Sequence, residues 1–328
     1  MTTSPTCIER VLFPTDFSSF SADALRHALS LARRFKARLK VVHIIPHVFP
    51  SGDSDYFAAP WIVTPDLRRH VDEEMRRFLA PLREARIDYQ TEVCEGDPWR
   101  EIVALAEEMP ADLVVMGTHG RGGLEHLFLG SVAEKLIRRL PCPVLTVCHE
   151  EGRTWDAPGL ISRILCATDF SDTSADALQM ALAFAAETKA SVTLLNVVEN
   201  IPDFGTPTYL GLPDLGPLRQ DLEKAAWDRL QLIALDAETK GARLETRVAV
   251  GRAYREILRV AAEERADLLV VGAQGHGFIE HMLSGSNAQH VIRGATCPVL
   301  TVRPVRVRRR GESPAPAMTL AAPVATSK

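Results

Sequence analysis

Residues 8–18 of the chain read IERVLFPTDFS, and residues 161–171 read ISRILCATDFS. A second match lies further along the chain, where the sequence CPVLTV occupies residues 142–147 and again residues 297–302. Segments repeated in the same order are the mark of a duplicated structural unit. Each copy is roughly 150 residues long, an ordinary length for one domain. The sequence therefore predicts two copies of one domain, fused head to tail.

The repeats also set the domain boundaries that we expect. Copy one spans residues 1–150, a linker 151–160, copy two 161–304 and a tail 305–328. The linker is polar and contains glycine and proline, as connecting segments usually do. The tail starts with clustered arginines and continues with proline, alanine and small polar residues. It has too little apolar material to fold alone, which predicts disorder.

The composition is that of a globular protein with a substantial core. The 328 residues are 46% hydrophobic and 24% charged, with a formal net charge of −4. This charge argues against a nucleic-acid surface or an anionic membrane as partner. No apolar run approaches the ~20 residues that cross a bilayer, and the first residues do not resemble a secretory signal. The six cysteines form no Cys-x2-Cys pair. We therefore expect a cytoplasmic protein with reduced cysteines.

Short apolar runs alternate with helical patterns in each copy. In copy one the runs predict strands near residues 10–14, 39–45, 89–94, 112–116 and 144–148. Either Ser18 or Ser21 is expected to cap the first helix, and the helix that starts at Pro65 is expected to reach about Ala85. Such alternation predicts a mostly parallel sheet with helices on both faces. Ligands of these sheets bind beyond the carboxyl ends of the strands.

One glycine pattern follows the fourth predicted strand of each copy with identical spacing. It reads Gly-x2-Gly-x9-Gly-Ser and starts at Gly117 in copy one and at Gly272 in copy two. Glycines let backbone N–H groups approach a phosphate. The closing Gly-Ser precedes a helix, whose free amides and dipole favour an anion, and the serine hydroxyl can cap that helix or bond a phosphate. The plainer alternative is that these glycines only make tight turns, and their repetition at one spacing weighs against it.

Other phosphate-binding and catalytic motifs are missing from the sequence. There is no Walker pattern, and the first strand–helix turn holds Thr15-Asp16 instead of a dinucleotide fingerprint. The histidines around the glycine patterns lack the spacing of metal ligands, which favours a polar surface. The tryptophans are interpreted as core or loop packing. No nucleophile with a base and an orienting group is recognisable, so the sequence gives no support for an enzyme.

The two glycine patterns, the Thr-Asp pairs and the repeated CPVLTV strands together resemble the universal stress protein family in its tandem, ATP-binding form. The resemblance covers residues 8–303. It implies an α/β fold of two tandem Rossmann-like domains, each a five-stranded parallel sheet of order 3-2-1-4-5 with helices on both faces. It also implies that the last strand of each copy helps to pair the domains. The implied ligand is ATP, ADP or AMP, with or without Mg²⁺.

The resemblance also implies which residues bind the nucleotide. In copy one they are Pro14, Thr15, Asp16, Ile44, Met116, Gly117, His119, Gly120, Arg121, Gly130, Ser131 and Val132. In copy two they are Thr168, Asp169, Val197, Val271, Gly272, Gln274, Gly275, Gly285, Ser286 and Asn287. Asp16 is implied to meet the adenosine, and the backbone at Ile44 the adenine. His276 stands where copy one has Arg121, which removes a fixed positive charge near the phosphates. We therefore expect copy one to bind more tightly.

Three hypotheses about function follow. The first is a nucleotide-binding regulatory protein of the stress response, in which ATP orders the glycine loops. The second is a slow ATPase or a nucleotidyl-transferring enzyme, and the third is a nucleotide-free interaction scaffold of the same fold. The expected partners are the other copy in the same chain, a second chain in a homodimer and a protein that the sequence does not identify.

Overall fold

The computed structural model describes residues 8–46, 63–84, 87–118, 129–148, 161–199, 216–273 and 286–303. The predicted linker and tail lie outside these ranges, so the boundaries drawn around them stay predictions. None of the described helices is both long and apolar enough to cross a membrane.

The elements alternate between strand and helix along both copies. Copy one contains β1 (Arg10–Pro14), α1 (Ser19–Phe35), β2 (Arg38–Pro46), α2 (Pro65–Phe78), α3 (Ala80–Glu84), β3 (Tyr89–Gly96), α4 (Pro98–Glu108), β4 (Leu113–Gly117), α5 (Ser131–Arg139) and β5 (Val144–Val147). Copy two contains β6 (Arg163–Thr168), α6 (Asp172–Thr188), β7 (Ser191–Val198), α7 (Gly216–Thr239), β8 (Leu244–Val250), α8 (Ala253–Glu263), β9 (Leu268–Gly272), α9 (Ser286–Gly294) and β10 (Val299–Val302). This order confirms the predicted alternation.

The single helix predicted from Pro65 to about Ala85 is wrong, because the chain leaves helical geometry at Leu79. The φ and ψ angles there are −91° and 9°, and α3 begins at the next residue. Leu79 and Leu82 are 1% and 0% exposed. Pro81, two residues further on, has no N–H for the Arg77 carbonyl, and its ring clashes with that carbonyl. The break therefore has a signal in the sequence, which the predicted single helix overlooked.

The strand order confirms the predicted topology in both copies. The sheet runs β3-β2-β1-β4-β5-β10-β9-β6-β7-β8, which is the order 3-2-1-4-5 in each half. Neighbouring strands within a copy pair in parallel. The two five-stranded sheets are joined into one sheet of ten strands, which the sequence indicated only through its resemblance.

The joint between the copies is an antiparallel pair of β5 and β10. Leu145 faces Leu300, and Val299 and Thr301 face Thr146 and Val144. Leu145 and Leu300 are equivalent residues of the two copies, so an approximate two-fold axis passes between them. Without this intrachain pairing, β5 and β10 would each be an exposed edge strand. Their pairing places both strands inside one continuous sheet.

Contacts between helices reinforce this joint. The rings of Phe35 in α1 and Phe184 in α6 lie 5.3 Å apart. The Arg303 guanidinium, just after β10, donates to the carbonyl oxygens of Arg138 and Leu140 at the end of α5. The apolar side chains on each face of the sheet form a core layer that contains residues of both copies. The two copies therefore share both core layers.

The described cysteines behave as small apolar residues. Cys94, Cys142 and Cys166 are free thiols, and Cys297 is buried. Burial raises the pKa of the Cys142 and Cys166 thiols to about 12, so both stay protonated at neutral pH. Their burial supports the sequence-based interpretation of cysteines inside strands as core residues.

One tryptophan contradicts the packing interpretation. Trp227 is 47% exposed, because the buried face of α7 is formed by Ala226, Leu230, Ala234 and Ala237 at helical spacing. Trp227 falls outside that spacing and points away from the sheet.

Two equivalent threonines at the joint predict opposite effects on stability. Thr146 donates to the Val299 carbonyl at 3.2 Å, whereas the Thr301 hydroxyl has no hydrogen-bond partner in the described part of the chain. Both residues are 1% exposed. Thr301→Val should raise the free energy of unfolding by about 1 kcal/mol, and Thr146→Val should lower it by about 0.5–1.5 kcal/mol. Urea unfolding measures both, and equal effects of the same sign would contradict the assignment.

The His27 imidazole in α1 predicts a loss of stability in acid. Its Nε2 is shielded from solvent, and burial lowers the pKa to about 4 from an ordinary 6.5. The unfolded chain then binds more protons between these two values, so stability falls as the pH drops from 6.5 towards 4. His27→Met, which installs the residue found at Met180 in copy two, should remove about 1–3 kcal/mol of this pH dependence. Urea unfolding at pH 7, 5.5 and 4.5 gives the free energy of unfolding of both proteins. An equal fall of this free energy with pH in the two proteins would refute the prediction.

Candidate functional site

The turn after β1 fixes an aspartate at the carboxyl edge of the sheet. The Asp16 Oδ1 atom accepts hydrogen bonds from the Ser18 N–H (3.1 Å), the Ser18 hydroxyl (2.6 Å) and the Ser21 hydroxyl (2.7 Å). Ser18 is the N-cap of α1, since its Oγ accepts from the Ser21 N–H at 3.2 Å. Of the two serines expected as caps, Ser18 caps the helix and Ser21 holds the carboxylate.

Copy two repeats this turn with one change. Asp169 Oδ1 accepts from the N–H (3.0 Å) and hydroxyl (2.5 Å) of Ser171. The Ser174 hydroxyl, equivalent to that of Ser21, instead bonds Thr168 Oγ1 at 3.0 Å and the Ser171 carbonyl at 2.9 Å. The Ser21 hydroxyl therefore bonds the Asp16 carboxylate, whereas the equivalent Ser174 hydroxyl bonds Thr168 and the Ser171 carbonyl.

A polar residue inside the second strand of each copy anchors this turn. His43 Nδ1 lies 2.8 Å from the Thr15 carbonyl oxygen, and Asn196 Nδ2 donates to the Thr168 carbonyl, also at 2.8 Å. Because a carbonyl oxygen can only accept, the His43 Nδ1 carries the hydrogen. Sequence reasoning missed both residues. The signal was present as one polar residue at the equivalent position of two apolar strands.

The glycine that ends the fourth strand allows close packing of the first helix. A Cβ on Gly117 would lie 3.1 Å from the backbone of Phe20, and a Cβ on Gly272 would lie 3.2 Å from the Thr173 side chain. Such distances are tight for a real Cβ, and glycine lets the helix start lie directly against the strand end.

The two ends of the glycine pattern in copy one lie side by side. The Thr118 N–H donates to the Val147 carbonyl at 3.0 Å, and the Gly130 N–H donates to the Thr118 carbonyl at 2.9 Å. Gly117 and Gly130 are therefore neighbours at the edge of the sheet, although 13 positions separate them in the chain. The residues between them, including the predicted His119, Gly120 and Arg121, lie outside the described ranges, as do Gln274, Gly275 and Gly285 in copy two.

The helix after the glycine pattern begins as expected, but its serine does not cap it. Gly130 is the N-cap of α5, with φ −56° and ψ 140°, and Ser131 is the first helical residue. A cap residue needs extended backbone angles, and Ser131 already has helical ones. The Ser131 side chain is exposed, and the hydrogen bond from Gly130 to Thr118 places the start of α5 beside the end of β4. In copy two, α9 begins at Ser286, and Asn287 is its second residue.

A cavity of about 140 Å³ in copy two collects six of the predicted residues. They are Thr168, Asp169, Val197, Val271, Gly272 and Asn287. Sequence reasoning missed the other side chains that line it, among them Leu195, Ala253, Ile257, Ala288 and Val291. They are apolar residues of a strand or of helices, and this gave no sign that they border a cavity. The cavity is apolar on one side and has hydrogen-bonding groups at its rim, as small-molecule sites usually do.

The equivalent part of copy one has the same kind of lining. Ile44 and Met116 are 7% and 4% exposed and belong to one apolar cluster with Ile102 and Ala133. Ile102 and Ala133 correspond in the repeat to Ile257 and Ala288 of copy two. Pro14 and Val132, also predicted, lie at the end of β1 and in the first turn of α5. The described predicted residues of copy one thus lie near the carboxyl ends of β1, β2 and β4 and at the start of α5, the places equivalent to the lining of the copy-two cavity.

Metal-ligating groups do not converge in the described ranges. No set of three or more His, Cys, Asp or Glu side chains there is arranged to hold a metal ion. Of the histidines considered from the sequence, His290 stacks on Tyr254 with ring centroids 4.6 Å apart, and the others lie outside these ranges.

Comparison with known proteins identifies the family. The model of the Universal stress protein family matches residues 8–147 and again residues 161–303. The chain belongs to the universal stress protein family. A universal stress protein of Mycolicibacterium smegmatis is 26% identical over 299 residues, which cover 90% of this chain and 97% of that protein. One from Methanocaldococcus jannaschii is 35% identical over 139 residues, which cover 42% of this chain and 81% of that protein.

A solved structure supports the fold of this universal stress protein along most of its length. The crystal structure of a universal stress protein from Archaeoglobus fulgidus has a TM-score of 0.67 at 21% sequence identity. The match covers 90% of this chain and 98% of that one. At this level of identity the comparison concerns the fold alone.

The His43 contact predicts a difference between two substitutions at one position. His43→Asn installs the donor that copy two uses and should leave the free energy of unfolding within about 1 kcal/mol of the parent protein. His43→Leu leaves the Thr15 carbonyl without this donor and should lower the free energy of unfolding by about 1–3 kcal/mol. Asn196→Leu is the matched change in copy two. Urea unfolding provides the measurement, and equal stabilities of His43→Leu and His43→Asn would contradict the role given to the hydrogen bond.

Proposed function

We propose that this universal stress protein binds an adenine nucleotide, ATP in the first place, in one crevice per copy and acts in stress signalling. Membership of the family supports the stress-response role. The observation that carries the nucleotide proposal is the convergence of the strand-end Asp169, the first glycine of the glycine pattern (Gly272) and the start of α9 on one cavity of copy two. The duplication gives copy one the equivalent residues.

Each part of a nucleotide has a suitable counterpart in the copy-two crevice. The apolar side chains of Leu195, Val197 and Ile257 suit the faces of an adenine ring. The Asp169 carboxylate lies at the rim of the same cavity, where it can accept hydrogen bonds from ribose hydroxyls. The start of α9 supplies backbone amides and a helix dipole for the phosphates.

Copy one is proposed as the tighter of the two sites. The three donors on Asp16 Oδ1 hold its carboxylate in one orientation before any ligand arrives. A carboxylate that is already oriented loses less freedom on binding. Arg121 in the glycine pattern of copy one, which is His276 in copy two, adds a positive charge to the proposed phosphate region.

The proposed function is regulatory and contains no catalytic step. Nucleotide binding favours one arrangement of the glycine segment over another, and a partner protein detects that arrangement. The same proposal includes a cytoplasmic location, association of two chains, a role for Mg²⁺ and domain boundaries at residues 150, 161 and 304.

Nucleotide content of freshly purified protein tests the proposal. The protein is denatured by heat, and the released adenine nucleotides are quantified by anion-exchange chromatography. We expect between one and two ATP per chain. Gly130→Trp places a ring against the first amides of α5 and should empty copy one, and Gly285→Trp should do the same in copy two. Gly130→Ala is the matched control, since a methyl group leaves the amides accessible.

Each other outcome favours a different hypothesis. ADP with released phosphate, lost in the tryptophan variants, would favour the slow ATPase. Absence of nucleotide together with no heat of binding for added Mg-ATP would leave the interaction scaffold. Unchanged nucleotide content in the double Gly130→Trp, Gly285→Trp variant would show that the glycine patterns do not bind the nucleotide.

A further inference from the structure

A larger cavity lies at the outer end of the sheet, away from both crevices. Its volume is about 630 Å³, and it lies between β3 and the helices α2 and α3. Met75 and Leu79 form its apolar floor. Its polar walls, which we call the arginine groove, consist of Arg68, Asp72, Arg76, Arg83, Tyr89 and Thr91. Three of these six side chains are guanidinium groups, so the groove carries net positive charge in a protein whose net charge is −4.

The guanidinium groups keep hydrogen-bond donors for a ligand. Arg83 Nε donates to the Tyr89 hydroxyl at 2.9 Å, and Arg76 Nε donates to a backbone carbonyl one turn earlier at 3.1 Å. The Arg68 guanidinium lies 3.9 Å from the Glu95 carboxylate, a long and exposed ion pair. A guanidinium has five N–H donors, so each arginine retains several for carboxylates that enter the groove.

Copy two shows that the fold does not require these arginines. From α2 onwards equivalent residues of the two halves lie 155 positions apart, since buried Met75 and Leu82 match buried Leu230 and Ala237. Arg68, Arg76 and Arg83 therefore correspond to Glu223, Gln231 and Glu238. The Gln231 amide there donates to Thr246 Oγ1 at 2.7 Å and ties the helix to the strand. The same helix–strand packing thus forms with acidic and neutral residues. The positive charge of copy one therefore calls for an explanation other than folding.

The strand beside the groove ends the sheet. β3 is the outermost strand of the order, and no other described strand pairs with its outer side. The Leu39 N–H donates to the Asp88 carbonyl. Every second residue from Asp88 onwards therefore turns its backbone N–H and C=O groups towards β2. The N–H and C=O groups of Tyr89, Thr91 and Val93 therefore point outward. An extended chain can add to such an edge through main-chain hydrogen bonds.

We propose that the arginine groove and the outer edge of β3 together bind an extended acidic peptide of a partner protein, which adds to the sheet as a further strand. The edge recognises the main chain, and the guanidinium groups recognise carboxylate side chains on the face towards α2. A nucleic acid fits less well, because it has no amide groups to pair with a strand edge. This site is separate from the nucleotide crevices, and its test does not depend on them.

The test uses the full chain and a fluorescein-labelled peptide of alternating glutamate and valine, seven residues long, at low ionic strength. Fluorescence anisotropy should report saturable binding that weakens as salt is added. The triple variant Arg68→Glu, Arg76→Gln, Arg83→Glu installs the copy-two residues and should weaken binding at least tenfold. The control Arg69→Glu, Arg77→Gln changes exposed arginines of the same helix outside the groove and should change binding less than twofold. Circular dichroism and urea unfolding confirm that both variants fold.

Hydrogen exchange locates the peptide. Bound peptide should slow exchange of the Thr91 and Val93 amides at least tenfold and leave the amides of β8 unchanged. Equal loss of binding in the groove and control variants would overturn the proposal. Binding without protection of these amides would also overturn it, because it would indicate attraction by charge alone. A labelled uridine oligonucleotide that binds more strongly than the peptide, and loses affinity in the groove variant, would overturn it as well. Equal affinity for the matching lysine–valine peptide would also refute it.

Discussion

Leu145 of β5 and Leu300 of β10 face each other at the centre of the antiparallel pair that joins the two halves of the sheet. The strands within each half are parallel, so this one antiparallel pair points the carboxyl ends of the two halves to opposite edges. Each crevice lies at the carboxyl edge of its own half. The two crevices therefore cannot share one ligand. Among the described residues, the joint, the contact between Phe35 and Phe184 and the contact of Arg303 with the end of α5 connect the two halves.

A second constraint acts at the end of the first strand of each copy. The carbonyl of Thr15 or Thr168 lies next to the turn that carries the aspartate, and a backbone carbonyl away from water needs a donor. The protein meets this need with His43 in one copy and Asn196 in the other, at the same distance. Two different side chains at one structural position show that the hydrogen bond, more than the residue type, is what the turn requires.

The duplicated fold carries two different outer surfaces. The residues that shape the crevices largely agree between the copies, while the helix next to the outermost strand is rich in arginine in copy one and has acidic residues in copy two. Side chains on a solvent-facing groove are free to differ, because little of the core depends on them. In our interpretation the copies retain one ligand chemistry and differ in the surface offered to partners.

The sequence by itself determined the duplication and the alternation of strands and helices, because repeats and periodicity show them directly. It predicted six of the thirteen residues that line the copy-two cavity, and Pro81 marked the helix break near Leu79 although the prediction overlooked it. It did not reveal the glycine cap before Ser131 or the exposure of Trp227. Those features depend on which atoms meet across elements far apart in the chain. For the same reason only the tertiary structure showed the anchor of His43 on Thr15, the pairing register of β5 with β10 and the groove beside β3.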